Sequence, residues 1–355
     1  MLPREIINLR LYNQLLLNNP KKNPAEVVGH MCAMQAQDYL ASIWAVALRT
    51  ESSSEKDIEQ ALADRKIVRS WPMRGTLHYV IPEDLKWMLK LMTPRILSGQ
   101  TKRFLREFEV DENVLKQCRK ILENKLKGGK RLARTEVYRV LEEGGVAVTG
   151  SRGLHIIWYL AHEGLLCFGP REGKQPSFVL LDEWIPQSRE LTTEEALAEI
   201  FYRYVASRGP VTLADFIWWT GLTTTSAKTA LELAKPKLTS FKLENKEYWL
   251  TTNNESVKTP QNLYHLLPSF DEYLIAYADR SLMLGAYTLK DVVPFSNGMF
   301  FPIIVENGVL LGTWKRTIQK KGVKIDYAPF KPFSKQQENF ILEISARYER
   351  FCFQS

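Results

Sequence analysis

Read for the spacing of its apolar residues, the chain repeats one order of elements. Between positions 23 and 49 two helix-patterned segments meet at a polar corner, Met34-Gln35-Ala36-Gln37-Asp38. Asn23-Pro24-Ala25-Glu26 supplies an N-cap, a first-turn proline and an acid at the third position, and Val27, Val28 and Met31 follow at helical spacing. Asp38 can cap a second helix whose apolar Leu40, Ile43, Trp44, Ala47 and Leu48 recur at the spacing of one helix face. Ser54-Glu55-Lys56-Asp57 opens a third helix, with Ile58, Ala61 and Leu62 as its stripe. Residues 66–71 and 76–81 then read as strands around Pro72-Met73-Arg74-Gly75. Helices followed by a hairpin describe a winged helix-turn-helix.

The order recurs twice. Helices over 111–126, 135–142 and 151–163 precede a hairpin of 165–168 and 177–181, whose tip holds Arg171 and Lys174. A third run starts at the capping box Thr192-Thr193-Glu194-Glu195, continues through helices opened by Pro210-Val211-Thr212 and Thr223-Thr224-Thr225-Ser226, and ends in strands 238–243 and 248–252. The copies share element order rather than residue identity, so the repeat is architectural. A helix over 82–108, with Trp87, Met88, Leu91 and Met92 as its stripe, links the first two. From about residue 262 the pattern changes to strands, over 263–268, 273–277, 301–306 and 309–315, with Asn307-Gly308 as a type I′ hairpin signal and Lys320-Lys321 at a second tip. A small β-barrel or curled sheet is expected there, closed by a helix over 334–348 that turns Phe340, Ile341, Ile344 and Tyr348 inward. The fold class is therefore mainly α with β: three tandem winged helix-turn-helix modules, then a small C-terminal β-barrel and a terminal helix. The expected divisions are 1–108 with the linking helices, 109–190, 191–260 and 261–355.

Composition narrows this only a little. A chain of 355 residues exceeds one ordinary core, which fits several modules. Forty-eight basic against 40 acidic residues give a net charge of +8, compatible with a polyanionic partner but no proof of one. Cys32, Cys118, Cys167 and Cys352 form no CxxC or Cys/His ligand spacing and the five histidines are scattered, so reduced thiols and neither metal nor cofactor are expected. Charges interspersed among Ile6, Leu9, Leu11 and Leu15 make the N-terminus neither a signal peptide nor a membrane span.

The candidate chemistry lies at the corner. In a continuous helix Gln35 and Gln37 would point about 200° apart. If the helix ends and the chain extends, both amides fall on one side, beside Asp38. An amide donates and accepts at once, which suits holding a water or a sugar oxygen. On spacing alone the same residues read first as a helix–helix corner whose polar side chains satisfy backbone groups.

Three stretches carry a resemblance. Met34-Gln35-Ala36-Gln37-Asp38, Arg74-Gly75-Thr76-Leu77-His78 and Leu266-Leu267-Pro268-Ser269-Phe270-Asp271-Glu272-Tyr273-Leu274 with Asp279-Arg280-Ser281, together with Gly312-Thr313-Trp314-Lys315-Arg316, resemble the bacterial AlkZ/YcaQ winged-helix DNA glycosylases. Gln35-Ala36-Gln37 looks like the motif of the glutamine-ending, AlkZ-like branch. The resemblance implies three winged helices and a barrel around duplex DNA. It also implies hydrolysis of the N-glycosidic bond of N7-alkylated purines and, in some members, unhooking of interstrand crosslinks. A cationic base is an activated leaving group, so placing water against a sugar centre of oxocarbenium character is what remains for Gln35 and Gln37. Asp38 ranks second, because its cap occupies it. No lysine adjoins the motif to form a Schiff base, which suggests a monofunctional enzyme leaving an abasic site. The expected setting is the bacterial cytoplasm at the nucleoid, as a monomer.

For the basic residues two readings stand side by side. Arg74 and His78 can contact phosphate or pack a sheet, and Arg171, Lys174, Lys320 and Lys321 can contact phosphate or cap solvated turns. The resemblance favours DNA contact for these and for Arg280, Lys315 and Arg316. Asp271 and Glu272 are expected to be structural, because neighbours on a strand face opposite ways. At least one of Trp218 and Trp219 is expected in the core. The competing function is a non-catalytic winged-helix regulator or architectural factor. Against it stand three unlike modules in one chain, no evident dimerisation element and an otherwise unexplained Gln-x-Gln corner.

Overall fold

A computed structural model describes residues 1–355 except 18–19, 174, 253–256, 258–260, 296–297, 320–321 and 354–355. Helices and antiparallel strands are mixed along the chain, which divides into two compact units. One joins Met1–Ile58 to Leu197–Ser355, and the other is Glu59–Ala196.

In the first unit the caps foreseen from sequence are made. Helix Pro24–Met31 starts at Asn23, whose side chain accepts from the Glu26 amide, and helix Tyr39–Ala47 starts at Asp38, which accepts from the Ala41 amide. Thr212 and Thr223 cap helices Leu213–Thr220 and Thr224–Ala234 in the same way, and a hairpin of Leu238–Leu243 and Lys246–Thr251 follows. Each cap satisfies a backbone donor that the first turn leaves orphaned.

The C-terminal strands Tyr264–Leu267, Ile303–Glu306, Val309–Gln319 and Gly322–Pro329 form an antiparallel meander in chain order. Its second connection is the expected two-residue turn, with Glu306 opposite Val309 and φ of +51° at Asn307 and +81° at Gly308. The expected barrel is not closed: among the described residues the sheet has four strands and two edges. Two causes are visible. The stretch 273–277, expected as a strand, instead holds most of the one-turn helix Glu272–Ile275, started by the Asp271 side chain accepting from the Tyr273 amide. Tyr273, Leu274, Ile275, Ala276 and Tyr277 are all buried, and a run buried on every side has no period to separate strand from helix, so the cap decides. Four strands are also too few to close. At the edge strand, the indole N–H groups of Trp44 and Trp314 donate to the Leu266 and Leu267 carbonyls at 2.8 and 2.9 Å. The terminal helix Lys335–Phe353 lies against the sheet, with Tyr348 edge-on to Trp44 and Trp314 at ring distances of 4.9 and 5.2 Å.

The second unit holds the hairpin Val68–Met73 and Thr76–Val80, then helix Pro82–Phe108, which runs unbroken through Pro94. Helices Glu112–Leu126, Arg134–Glu143 and Arg152–His162 pack with a three-stranded sheet in which Ser177–Leu180 lies between Leu132–Ala133 and Leu166–Phe168. Buried Asp84 is satisfied by the Trp87 indole at 3.0 Å and the Arg189 guanidinium at 2.5 Å. Among the described residues no helix is long and apolar enough to cross a membrane, and no group of His, Cys, Asp and Glu is arranged to hold a metal.

Candidate active site

The corner between helices Pro24–Met31 and Tyr39–Ala47 is sharper than its sequence announces. Cys32 ends the first helix with φ +63° and ψ −54°, and the Ala33 amide donates to the Met31 carbonyl at 2.7 Å. That is a γ-turn of the strained hand, a conformation costing roughly 1–3 kcal/mol unless its surroundings hold it. Beyond the turn the chain is extended through Met34–Gln35 and burial alternates. Met34 and Ala36 face inward, Gln35 is half-buried and Gln37 is exposed. Both glutamines therefore reach the surface of a corner whose Met34 and Ala36 are anchored in the core, Gln35 at the end of the short strand and Gln37 in the bend that follows.

Two buried ion pairs lie beneath it. Glu272 is 1% exposed; its Oε1 accepts from the Gln35 backbone N–H at 2.9 Å. Its Oε2 accepts from Arg208 Nη2 at 2.6 Å and Nε at 3.1 Å and from the Trp219 indole at 3.0 Å. Arg208 in turn donates from Nη1 to the Met31 carbonyl and from Nη2 to the Ala33 carbonyl, both at 2.8 Å, while its guanidinium lies over the Trp219 ring. Asp271 binds a different arginine, accepting from Arg49 Nη1 and Nη2 at 2.9 and 2.8 Å. Arg49 also donates to the Gln14 and Ala45 carbonyls, and Gln14 donates to the Tyr277 hydroxyl. Removing one partner of such a pair leaves a buried charge uncompensated, at about 3–5 kcal/mol.

Asp38 caps its helix and also lines a cavity of about 460 Å³. Phe301, Pro302, Pro268, Trp314 and Tyr327 form its apolar walls; Lys315, Arg316 and Asp326 supply charge. Volume and lining are those of a small-molecule pocket.

The profile of a family described as "DNA glycosylase AlkZ-like" matches residues 28–351, from just before the corner into the terminal helix. The chain belongs to the AlkZ-like DNA glycosylase family. It is 26% identical over 345 residues to an interstrand DNA cross-link repair glycosylase of Streptomyces sahachiroi, an alignment spanning 88% of this chain and 87% of that protein. It also resembles the solved structure of Streptomyces sahachiroi DNA glycosylase AlkZ, with a TM-score of 0.77 and 23% identity over 97% of this chain and 96% of that one. At that identity the structural likeness speaks for the fold.

In this AlkZ-like chain the basic residues singled out for DNA occupy very different positions. Lys315 is exposed, and Arg316 beside it is half-buried and donates to the Tyr348 hydroxyl at 2.6 Å. Arg171 is half-buried and paired with Glu59 at 3.1 Å. Arg74, at the hairpin turn with φ +55°, lies 3.3 Å from His78 Nε2. His78 is fully buried, with Nδ1 2.9 Å from the Thr76 carbonyl, so Nδ1 carries the proton and Nε2 accepts from Arg74. A ring so enclosed can act on DNA only through Arg74. Arg280 is 7% exposed, donates to the Leu274 carbonyl and lies over the half-exposed Trp218. Lys174, Lys320 and Lys321 lie outside the described residues. Trp219 is in the core, as expected for one of the pair.

Sequence reasoning left Asp271 and Glu272 as structural residues without partners and did not single out Arg49 or Arg208. For Arg208 a signal exists: it follows Phe201, Tyr204 and Val205 at i+7 of one apolar helix face, a place where an arginine needs a buried partner.

Proposed function

We propose that this chain is a monofunctional DNA glycosylase that hydrolyses the N-glycosidic bond of N7-alkylated purines in duplex DNA and, where two such purines are joined, unhooks the crosslink. The observation that supports the reading is the half-buried Gln35 and exposed Gln37 at a corner anchored by buried Met34 and Ala36, in a chain of this family. The three helix-and-hairpin runs act as winged helices that hold the duplex, with Lys315, Arg316 and Arg74 among the residues that contact phosphate. The named activity of the Streptomyces relative favours crosslinks as substrates.

The reaction needs no change in protonation of either glutamine. The C1′–N9 bond breaks and its electron pair returns to the alkylated imidazolium ring, which becomes neutral. The water held by the amides bonds to C1′ and its surplus proton leaves to solvent. Positioning of this kind is worth orders of magnitude in rate without proton transfer. Replacing Gln37 by alanine is therefore expected to leave duplex affinity nearly unchanged and to slow excision by roughly a hundredfold. The measurement is single-turnover release of 7-methylguanine, with binding followed separately. Equal rates for the wild type and the Gln35→Ala/Gln37→Ala variant would make the corner purely structural. No excision by the wild type would return the chain to the non-catalytic DNA-binding reading.

A further inference from the structure

Glu272 is fully buried at the start of helix Glu272–Ile275. Its contacts converge on the segment that carries the two glutamines. One oxygen receives the Gln35 amide itself. The other holds Arg208, whose two terminal nitrogens grip the carbonyls on either side of Cys32, at Met31 and Ala33. Met31 and Ala33 are the ends of the strained γ-turn, and a strained turn keeps its shape only where its surroundings over-determine it. Trp219 closes the arrangement by donating to the same carboxylate oxygen that Arg208 binds.

We infer that Glu272, acting through Arg208, is a positioning residue of the excision reaction: the buried pair holds the Met31–Ala33 turn and so sets the direction in which Gln35 and Gln37 leave the core. The inference rests on the function proposed above. A charge-assisted brace suits this place. An amide that must orient water within a fraction of an ångström cannot sit on a backbone free to relax out of a strained turn. The neighbouring Arg49–Asp271 pair provides an internal control, since it is as deeply buried and one residue away in sequence; its described bonds go to Gln14, Ala45 and the Tyr273 amide that Asp271 caps, and not to the turn, and asparagine keeps that cap.

The test compares Glu272→Gln with Asp271→Asn, each assayed at a temperature where circular dichroism shows it folded. Glu272→Gln keeps the shape but removes the charge that holds Arg208 and that strengthens the bond from the Gln35 backbone N–H. We expect its single-turnover rate at saturating enzyme to fall at least tenfold, with the dissociation constant for duplex DNA changed less than twofold. Asp271→Asn is expected to change that rate less than threefold. Amide hydrogen exchange gives a readout that does not require activity: protection at Ala33 and Gln35 is lost in Glu272→Gln and kept in Asp271→Asn. If Glu272→Gln does not fold, Arg208→Lys, which keeps the charge but cannot grip both carbonyls, takes its place with the same expectations. Equal rate losses in the two pairs, or unchanged protection at Gln35, would overturn the inference. A wild type that excises nothing while the exchange pattern appears as expected would overturn the proposed function and leave the brace standing.

Discussion

Asp38 shows how one carboxylate can be tied to two duties. Its side chain accepts from the Ala41 amide at 3.1 Å, which starts helix Tyr39–Ala47, and the residue also lines the cavity walled by Pro268, Phe301 and Trp314. If capping is its main task, Asp38→Asn should stay within a few tenths of a kcal/mol of the wild type in stability and within a few-fold in excision rate, because asparagine caps about as well. Asp38→Ala should cost about 1 kcal/mol. Urea midpoints and single-turnover rates check both. A hundredfold loss in the asparagine variant would instead make the carboxylate the group that activates water. At this scale the sequence already exposed much: the cap and the helix break. It did not expose Cys32, because nothing in a Met-Cys-Ala tripeptide announces a left-handed φ.

Among the elements, the hairpin that joins Ile303–Glu306 to Val309–Gln319 is the most tightly specified. Gly308 has φ +81°, its carbonyl accepts from the Tyr273 hydroxyl at 2.8 Å, and a Cβ there would lie 2.5 Å from Ile7 and 2.6 Å from that hydroxyl. The turn thus pins the sheet to the N-terminal helix Pro3–Asn13. Gly308→Ala should cost about 1–2 kcal/mol for the left-handed backbone and about 1–3 kcal/mol more for overpacking. The urea midpoint is expected to fall by the corresponding amount, with an unchanged slope. An unshifted midpoint would mean that Ile7 and Tyr273 move aside freely.

Across the molecule, buried histidines couple stability to pH. Burial is the largest cause that lowers His30 and His265 in the first unit and His162 in the second to about 4. Neutral rings fit the contacts, since His30 Nε2 and His162 Nδ1 lie 2.6 and 2.7 Å from the Asn13 and Trp158 carbonyls. Between about 6.5 and 4 the unfolded chain binds protons that the folded chain does not, so this stability is full above pH 6.5 and falls as acid is added. Each histidine contributes at most about 1.4 kcal/mol per pH unit in that window. Thermal melts should therefore be flat from pH 8 to 7 and drop steadily from pH 6.5 to 5. A melting temperature constant down to pH 5 would show that the rings are not held neutral.

By itself the sequence determined what short-range forces decide: the helix starts at Asn23, Asp38, Thr212 and Thr223, the Asn307-Gly308 turn, the order of helices and hairpins, and the break between two helices at the polar corner. These depend on partners within a few residues, and local spacing records them. Tertiary structure alone decided which arginine answers which acid, that 273–277 is no strand, that the C-terminal sheet stays open, and that His78 and Arg280 are buried. The bond from Gln35 to Glu272 joins residues 237 apart, and that from Arg49 to Asp271 joins residues 222 apart. Such partners meet only once the core around them has formed, and a buried charge carries no local pattern by which its partner could be named in advance.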